Sequence, residues 1–320
     1  MARRLVASVA CITLTGLAAG CTDRPVGDPK QPEVTTPAAT SSAPTPPEST
    51  PTRPARFEAT RAMRTVRHLA VEIGPRLATG PAFREAADWV ADEFARHGYA
   101  VRRPSFPLPA GDSWGVPVRK GRSSNVIATP ADFDPSAPYV VVGAHLDTVA
   151  VAPGAEDNAS GVAVLLEVAR VLGGRGQVVL VAFGGEEPRG PGELHHFGSK
   201  RYVAALTPDR GRLLRGMVSL DRVGVGSVVP LSSVAGTPAA LRDRLARVAE
   251  QEGIPTIVET DSASDHESFA DAGFLAARIG STPYAGYHSA QDLPHFVEPA
   301  QLRRVGRLLL AWLSAAPPAG

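Results

Sequence analysis

A few short segments of this chain carry side chains that can hold a metal ion or move a proton, each at or near the end of an apolar run. They are His145 and Asp147 in VVVGAHLDTV, Asp157 in EDNASG, Glu186 and Glu187 in VVLVAFGGEE, Asp221 in GMVSLD, and His288 in GYHSAQD. Taken singly, a His and an Asp two apart, or a Glu pair, occur by chance in many chains, so the conjunction carries the information. His145, Asp157, Glu187, Asp221 and His288 together supply two imidazoles and three carboxylates, the donor mixture that suits zinc at a catalytic site with an open position. A carboxylate can give one oxygen to each of two ions. Two zinc ions could then each find three protein ligands and share a water or hydroxide.

Stretches able to position these residues alternate along the chain. Tyr139–Ala144, Gln177–Phe183, Met217–Leu220 and Phe274–Ile279 are short and apolar, as central strands covered on both faces should be. Helical patterns are expected at Pro81–Gly98, Ser160–Leu172, Gly198–Leu206, Pro238–Glu252, Asp265–Ala272 and Pro299–Ala315. Such alternation predicts an α/β fold, a three-layer sandwich of helices around a mixed, mostly parallel central sheet. The candidate ligands all fall just after a strand or in a loop, the edge where loops of an open α/β sheet converge on active sites.

The order of these motifs, over roughly Arg61 to the C-terminus, resembles the secreted double-zinc aminopeptidases, family 28 of the metallopeptidases. That resemblance implies a zinc-peptidase (phosphorylase/hydrolase-like) fold. It also implies one zinc on His145 and Asp221, the other on Glu187 and His288, and Asp157 bridging them. Glu186 would be the general base and acid, and Tyr287 would donate its hydroxyl to the tetrahedral oxyanion. Asp292 would orient the His288 loop, and the Asp157–Asn158 junction would match one where relatives carry a cis peptide bond.

Physical chemistry supports these roles. Two cations lower the pKa of a shared water and polarise a carbonyl. A neighbouring carboxylate that is not a ligand can take the proton and return it to the leaving amine. Adjacent residues at a strand end point in different directions, so Glu186 and Glu187 can divide the tasks. Asp147 is expected to accept the second N–H of the His145 imidazole. In SASDHESF (262–269), Asp265 is expected to cap a helix or to support the site as an acceptor. One departure from the family pattern is PRGPGELHHF (188–197), an added loop that carries His195 and His196 and is expected at the mouth of the site.

Residues 1–21 read as an export signal, with Arg3 and Arg4, an apolar stretch from Leu5 to Ala19, and a lipobox-like LAAGC ending in Cys21, a lipidation candidate. Residues 22–56, dense in Pro, Thr and Ser, read as a disordered tether, and 57–320 as the peptidase domain. The chain's two cysteines, Cys11 and Cys21, both lie in the signal, so disulfide and thiol chemistry are excluded from the domain. A net charge of +1 offers no field for nucleic acid. A monomer in the cell envelope, either lipid-anchored at the outer face of the cytoplasmic membrane or secreted, is expected. It would cleave N-terminal residues from peptides with a free amine. The alternatives are a dipeptidase or carboxypeptidase of the same fold, a glutaminyl cyclase-like enzyme with one zinc, and a non-catalytic zinc-containing binding domain. Carboxypeptidases of the related class with an inserted dimerisation domain do not fit, because Asp221 to His288 leaves room for only a helix, two strands and a short helix.

Overall fold

The computed structural model describes residues 55–315. The export signal, Cys21 and all but the last two residues of the tether lie outside that range. The described chain begins with helices α1 (Ala59–Arg67) and α2 (Pro81–Arg96), and strand β1 (Tyr99–Arg102) follows. Two small antiparallel pairs come next: β2 (Ser105–Leu108) with β5 (Gly121–Ser124), and between them the hairpin β3 (Gly111–Ser113) and β4 (Val116–Val118). Then come β6 (Val126–Pro130), β7 (Tyr139–His145), α3 (Gly161–Leu172), β8 (Val178–Phe183), α4 (Phe197–Ala204), α5 (Pro208–Leu213) and β9 (Leu214–Leu220). The last part holds β10 (Val229–Ser233), α6 (Ala240–Gln251), β11 (Thr256–Thr260), α7 (His266–Asp271), β12 (Ala276–Ile279) and α8 (Pro299–Ser314).

Eight strands form one mixed sheet in the order β1-β6-β8-β7-β9-β12-β10-β11. Its centre, β8-β7-β9-β12, is parallel, and antiparallel pairings lie toward both edges. Because side chains alternate along a strand, β7 sends Tyr139 and Val141 to one face and Val142 and Ala144 to the other. One apolar layer packs these against α1, α2, α3, α6 and α8, and the other against α4 and α7. Gly143 has no room for a side chain, since a Cβ there would lie 2.3 Å from the Phe183 ring.

The apolar runs read as central strands are present, each with slightly shifted ends. Strands β1–β6 and helix α1 were not among the expected elements, although the buried Ala59, Ala62, Met63 and Val66 of α1 follow helical spacing. Between Asp221 and His288 the chain forms three strands with its two helices, where two strands were expected. The extra one, β11, is an edge strand with mostly exposed side chains, which deprives it of the apolar signature of its neighbours.

Candidate active site

Register places the ligands. In the parallel pairing of β7 and β9, Gly143 stands opposite Ser219, so His145 and Asp221, each two residues further on, end side by side. His145 likewise pairs with Phe183 at the end of β8, and the Glu186–Glu187 pair follows three residues later. His145 is the last residue of its strand rather than part of the loop beyond it. Asp157 lies in the irregular turn that leads into α3, and its peptide bond to Asn158 is cis.

Asn158 joins this turn to β9. Its side-chain amide donates to Leu220 O at 2.8 Å, and its Oδ1 accepts from the Arg222 and Gly161 N–H groups at 3.1 and 3.0 Å. A Cβ at Gly161 would lie 2.4 Å from that same Oδ1, which accounts for the glycine in EDNASG. Asp292 works from the opposite side, accepting the Glu156 and Asp157 N–H groups at 2.9 and 3.0 Å. It therefore ties the His288 loop to the Asp157 turn, a more specific task than orienting its own loop.

The five candidate ligands form two groups that share Asp157. His145 Nε2 is 3.1 Å from Asp157 Oδ1 and 3.5 Å from Asp221 Oδ1. His288 Nε2 is 3.1 Å from Asp157 Oδ2 and 3.2 Å from Glu187 Oε2. In Glu187 one oxygen is held by a hydrogen bond and the other is presented, while in Asp221 one oxygen faces an arginine by charge alone. Glu187 Oε1 accepts the Val149 N–H at 3.2 Å, and Asp221 Oδ2 lies 3.5 Å from Arg278 Nε. Asp221 Oδ1 is buried without a hydrogen-bond partner among the described residues. His145 Nδ1 faces the backbone oxygen of Asp147 at 3.1 Å, a contact that leaves Nε2 for a ligand.

The role expected for Asp147 changes in consequence. Its carboxylate accepts the N–H groups of Glu186 and Glu187, at 3.1 and 3.3 Å, while its carbonyl serves the imidazole. Burial pushes its carboxyl up to about 6. Asp265 is also buried, but its side chain makes no cap to α7. Burial and the charge of Glu186 raise it to about 7.

These donors fit a pair of divalent cations. Asp157, Glu186, Glu187 and Asp221 are all buried, and such a concentration of carboxylates is costly unless matched by positive charge. Burial and the Asp157 charge push Glu187 up to about 8, as expected where anionic groups outnumber the cations facing them. The presented oxygens and Nε2 atoms of each group lie within 4.8 Å of one another, close enough for one ion. Glu186 can also be grouped with His145 and Glu187, yet its oxygen stands off from His145 Nε2 at 3.9 Å.

The ligands line a cavity of about 300 Å³ together with Glu186, Trp114, Arg222, Glu267 and Tyr287. Tyr287 stacks on His288 with ring centres 3.7 Å apart, and the Arg222 guanidinium lies 4.6 Å from the Tyr287 ring centre. Trp114, at the tip of the β3–β4 hairpin, meets the His288 ring edge-on at 4.4 Å. Sequence reading had no signal for Trp114, because the hairpin is remote in sequence from every motif. The added loop does reach the site, and both His195 and His196 line the cavity. Arg189, in the same loop, does not. Its guanidinium donates to Pro109 O and Arg119 O at 2.8 and 2.7 Å and so holds the hairpin strands instead.

The pattern of peptidase family M28 matches residues 125–313, a stretch that contains all five candidate ligands and Glu186. The chain belongs to peptidase family M28. An uncharacterised Escherichia coli protein, YfbL, is 30% identical over 202 residues, which cover 59% of this chain and 57% of that protein. Aminopeptidase YwaD of Bacillus subtilis is 30% identical over 204 residues, covering 59% of this chain and 44% of that one. The chain thus spans about half the length of the curated relatives it matches. Among solved structures, a zinc aminopeptidase from Bacillus subtilis superposes with a TM-score of 0.72 at 20% identity, covering 82% of this chain and 95% of that one. A glutaminyl cyclase from Porphyromonas gingivalis does so with a TM-score of 0.69 at 24% identity, covering 81% and 98%. Both show a common α/β fold with a mixed central sheet.

Arg76 went unnoticed in the sequence, where no spacing links it to the motifs. Fully buried, its guanidinium donates to Leu69 O, Gly74 O, Leu146 O, Pro153 O and Gly154 O at 2.7 to 3.1 Å. These carbonyls belong to the helical turn (His68–Ile73) and loop that follow α1, to the loop after β7 and to the approach to Asp157. Burial lowers its pKa to about 10 against the raising influence of Asp292, Asp147, Asp157 and Glu187, so it remains a cation at neutral pH. Arg76→Met should destabilise the full-length protein by about 3 kcal/mol or more, since it leaves several buried carbonyls without a donor at about 1–3 kcal/mol each. Urea denaturation of the metal-free chain checks this, and a loss below about 1 kcal/mol would show the carbonyls to be satisfied otherwise.

Proposed function

We propose that this chain is a zinc-dependent aminopeptidase with two ions per chain. The observation that carries the reading is the division of Asp157, whose two oxygens face separate His–carboxylate groups while Glu186 stands beside both. One zinc would be held by His145, Asp221 and Asp157, the other by His288, Glu187 and Asp157. Bound there, the ions would supply Lewis-acid polarisation of the scissile carbonyl and a water acidic enough to react near neutral pH.

The chain's own residues do the rest. Glu186 is free of both groups, and its backbone is fixed by the N–H bond to Asp147. Its carboxylate can therefore accept a proton within the cavity and deliver it to the departing amine. Tyr287 lines the same cavity and is the candidate donor to the oxyanion. Burial raises its phenol above the ordinary value, which keeps the donor proton in place at neutral pH.

Direction follows from charge. The cavity wall carries Asp157, Glu186, Glu187, Asp221 and Glu267 against one arginine, Arg222, which already lies 3.6 Å from Asp221. With three of those carboxylates on the ions, Glu186 and Glu267 remain; the His196 ring lies against one oxygen of each, at 3.2 and 3.0 Å, and their other oxygens are left to favour a substrate ammonium. Arg222 also supports a second reading, a dipeptidase or carboxypeptidase in which it receives the substrate's C-terminal carboxylate. The fold is shared with a glutaminyl cyclase and does not separate these activities; the paired metal groups support hydrolysis over cyclisation.

The test is a matched panel of peptides with free and acetylated N-termini and with free and amidated C-termini, given to zinc-loaded wild type and to Glu186→Gln. Hydrolysis should need the free amine and tolerate the amide, and the variant should lose about two to four orders of magnitude in kcat. Equal cleavage of acetylated peptides, a strict need for the C-terminal carboxylate, or cyclisation of a glutaminyl peptide without hydrolysis would each overturn the aminopeptidase reading.

The proposal extends to location outside the cytoplasmic membrane, with the domain held by lipid on Cys21. It rests on the export-like residues 1–21 and the Pro/Thr/Ser-rich segment after them. Cys21→Ser should move the protein from the membrane fraction to the soluble one, whereas equal partitioning of variant and wild type would rule out the anchor.

A further inference from the structure

The added loop returns to the site with a definite geometry. Its two ends are joined where it leaves and re-enters: the His196 N–H donates to Glu186 O at 2.9 Å, and the Phe197 N–H to Gly185 O at 2.8 Å. These bonds bring His196 back beside Glu186, ten positions earlier in sequence. His196 has left-handed backbone, with φ 52° and ψ 34°, a conformation disfavoured for any residue with a Cβ and met most cheaply by glycine or asparagine. Histidine is, with asparagine and aspartate, among the residues found there more often than most, so the backbone admits it without selecting it.

Its side chain supplies the explanation. The ring is buried between two carboxylates, with Nε2 at 3.2 Å from Glu186 Oε1 and Nδ1 at 3.0 Å from Glu267 Oε2. The other oxygen of Glu186 is the one that looks toward His145. Glu267 is itself set by helix α7, which is joined to α4 through a Ser199–Ser268 hydroxyl contact of 2.9 Å. His196 is the N-cap of helix α4, and its carbonyl accepts the Lys200 N–H at 3.0 Å and the Ser199 hydroxyl at 3.2 Å. The ring and the helices on either side of it thus enclose a single oxygen of Glu186, with Glu267 facing Nδ1 as a charge at 3.0 Å rather than through an aligned hydrogen bond.

We propose that His196 is the positioning residue of Glu186, and that Glu267 holds the His196 ring for that task. With Oε1 engaged by the imidazole, Glu186 is confined to the orientation that turns Oε2 toward the space between the ligand groups. The added loop thereby has a function other than narrowing the entrance: it carries the residue that orients the proton-transferring carboxylate. This inference rests on the reading of Glu186 as that carboxylate.

The test combines structure and kinetics on the zinc-loaded full-length chain. A crystal structure of His196→Ala should show the Glu186 carboxylate rotated or split between conformers, with His145, Asp157, Glu187, Asp221 and His288 in place. In steady-state kinetics, His196→Ala should lower kcat by about 10- to 100-fold, the range for losing a partner that orients a site residue, with KM and zinc content nearly unchanged. His196→Gln, which keeps an N–H donor, should recover part of that loss, and Glu267→Gln should show a smaller one. In a Glu186→Gln background, His196→Ala should cost less than about twofold, since the group it positions is already disabled. Glu186 unmoved in the His196→Ala crystal, zinc found on the His196 ring, or the same fold-loss in both backgrounds would overturn the proposal. If wild type cleaves no peptide while Glu186 moves in the variant, positioning stands and the aminopeptidase reading falls.

Discussion

Everything at this site follows from the burial of four carboxylates at the edge of a mixed sheet where its central parallel strands end. Isolated, such charges would cost more than a domain's net stability, so each must be matched. The chain does so in two ways: Glu187 and Asp221 each turn one oxygen to a backbone N–H or an arginine and the other inward, while Asp157 and Glu186 face imidazoles with both oxygens. Glu187 leans on the Val149 N–H, Asp221 on Arg278, and Asp157 gives both oxygens to the imidazoles. The inward remainder is a cradle for cations.

The scaffold is arranged to keep that cradle rigid. Central parallel strands fix the spacing of His145, Glu186–Glu187 and Asp221 through hydrogen-bonded register. The Asp157 turn and the His288 loop cannot borrow that register, and they are joined to it by side chains. Asn158 bonds the end of β9, Asp292 bonds the Asp157 turn, and Arg76 gathers carbonyls of the segment that leads into that turn. Polar side chains buried around a site in this way locate loops more firmly than loop backbone could alone.

Residues that touch the candidate metal space were legible in the sequence because catalytic metal chemistry allows few residue types, and because the strands that carry them are apolar enough to read. His145, Asp157, Glu187, Asp221 and His288 could be found from type and order. The residues that hold them were not. Arg76, Arg278 and Trp114 act through contacts between segments far apart in sequence, and no local spacing encodes such contacts. Asp147 shows the same gap at short range: its position beside His145 was plain, but whether its carboxylate or its carbonyl would face the ring depended on where the Glu186–Glu187 backbone lay. Likewise His195 and His196 were visible as a pair in the added loop, while only the fold separates the buried ring against Glu186 from its neighbour.

The proposed chemistry needs two metal positions sharing Asp157. Crystals of the wild-type protein equilibrated with zinc, measured on both sides of the zinc absorption edge, test it most directly. Two anomalous peaks should appear, one bounded by His145, Asp157 and Asp221 and the other by Asp157, Glu187 and His288. A single peak, or zinc at His195, His196 and Glu267 with the Asp157 groups empty, would contradict the two-ion site.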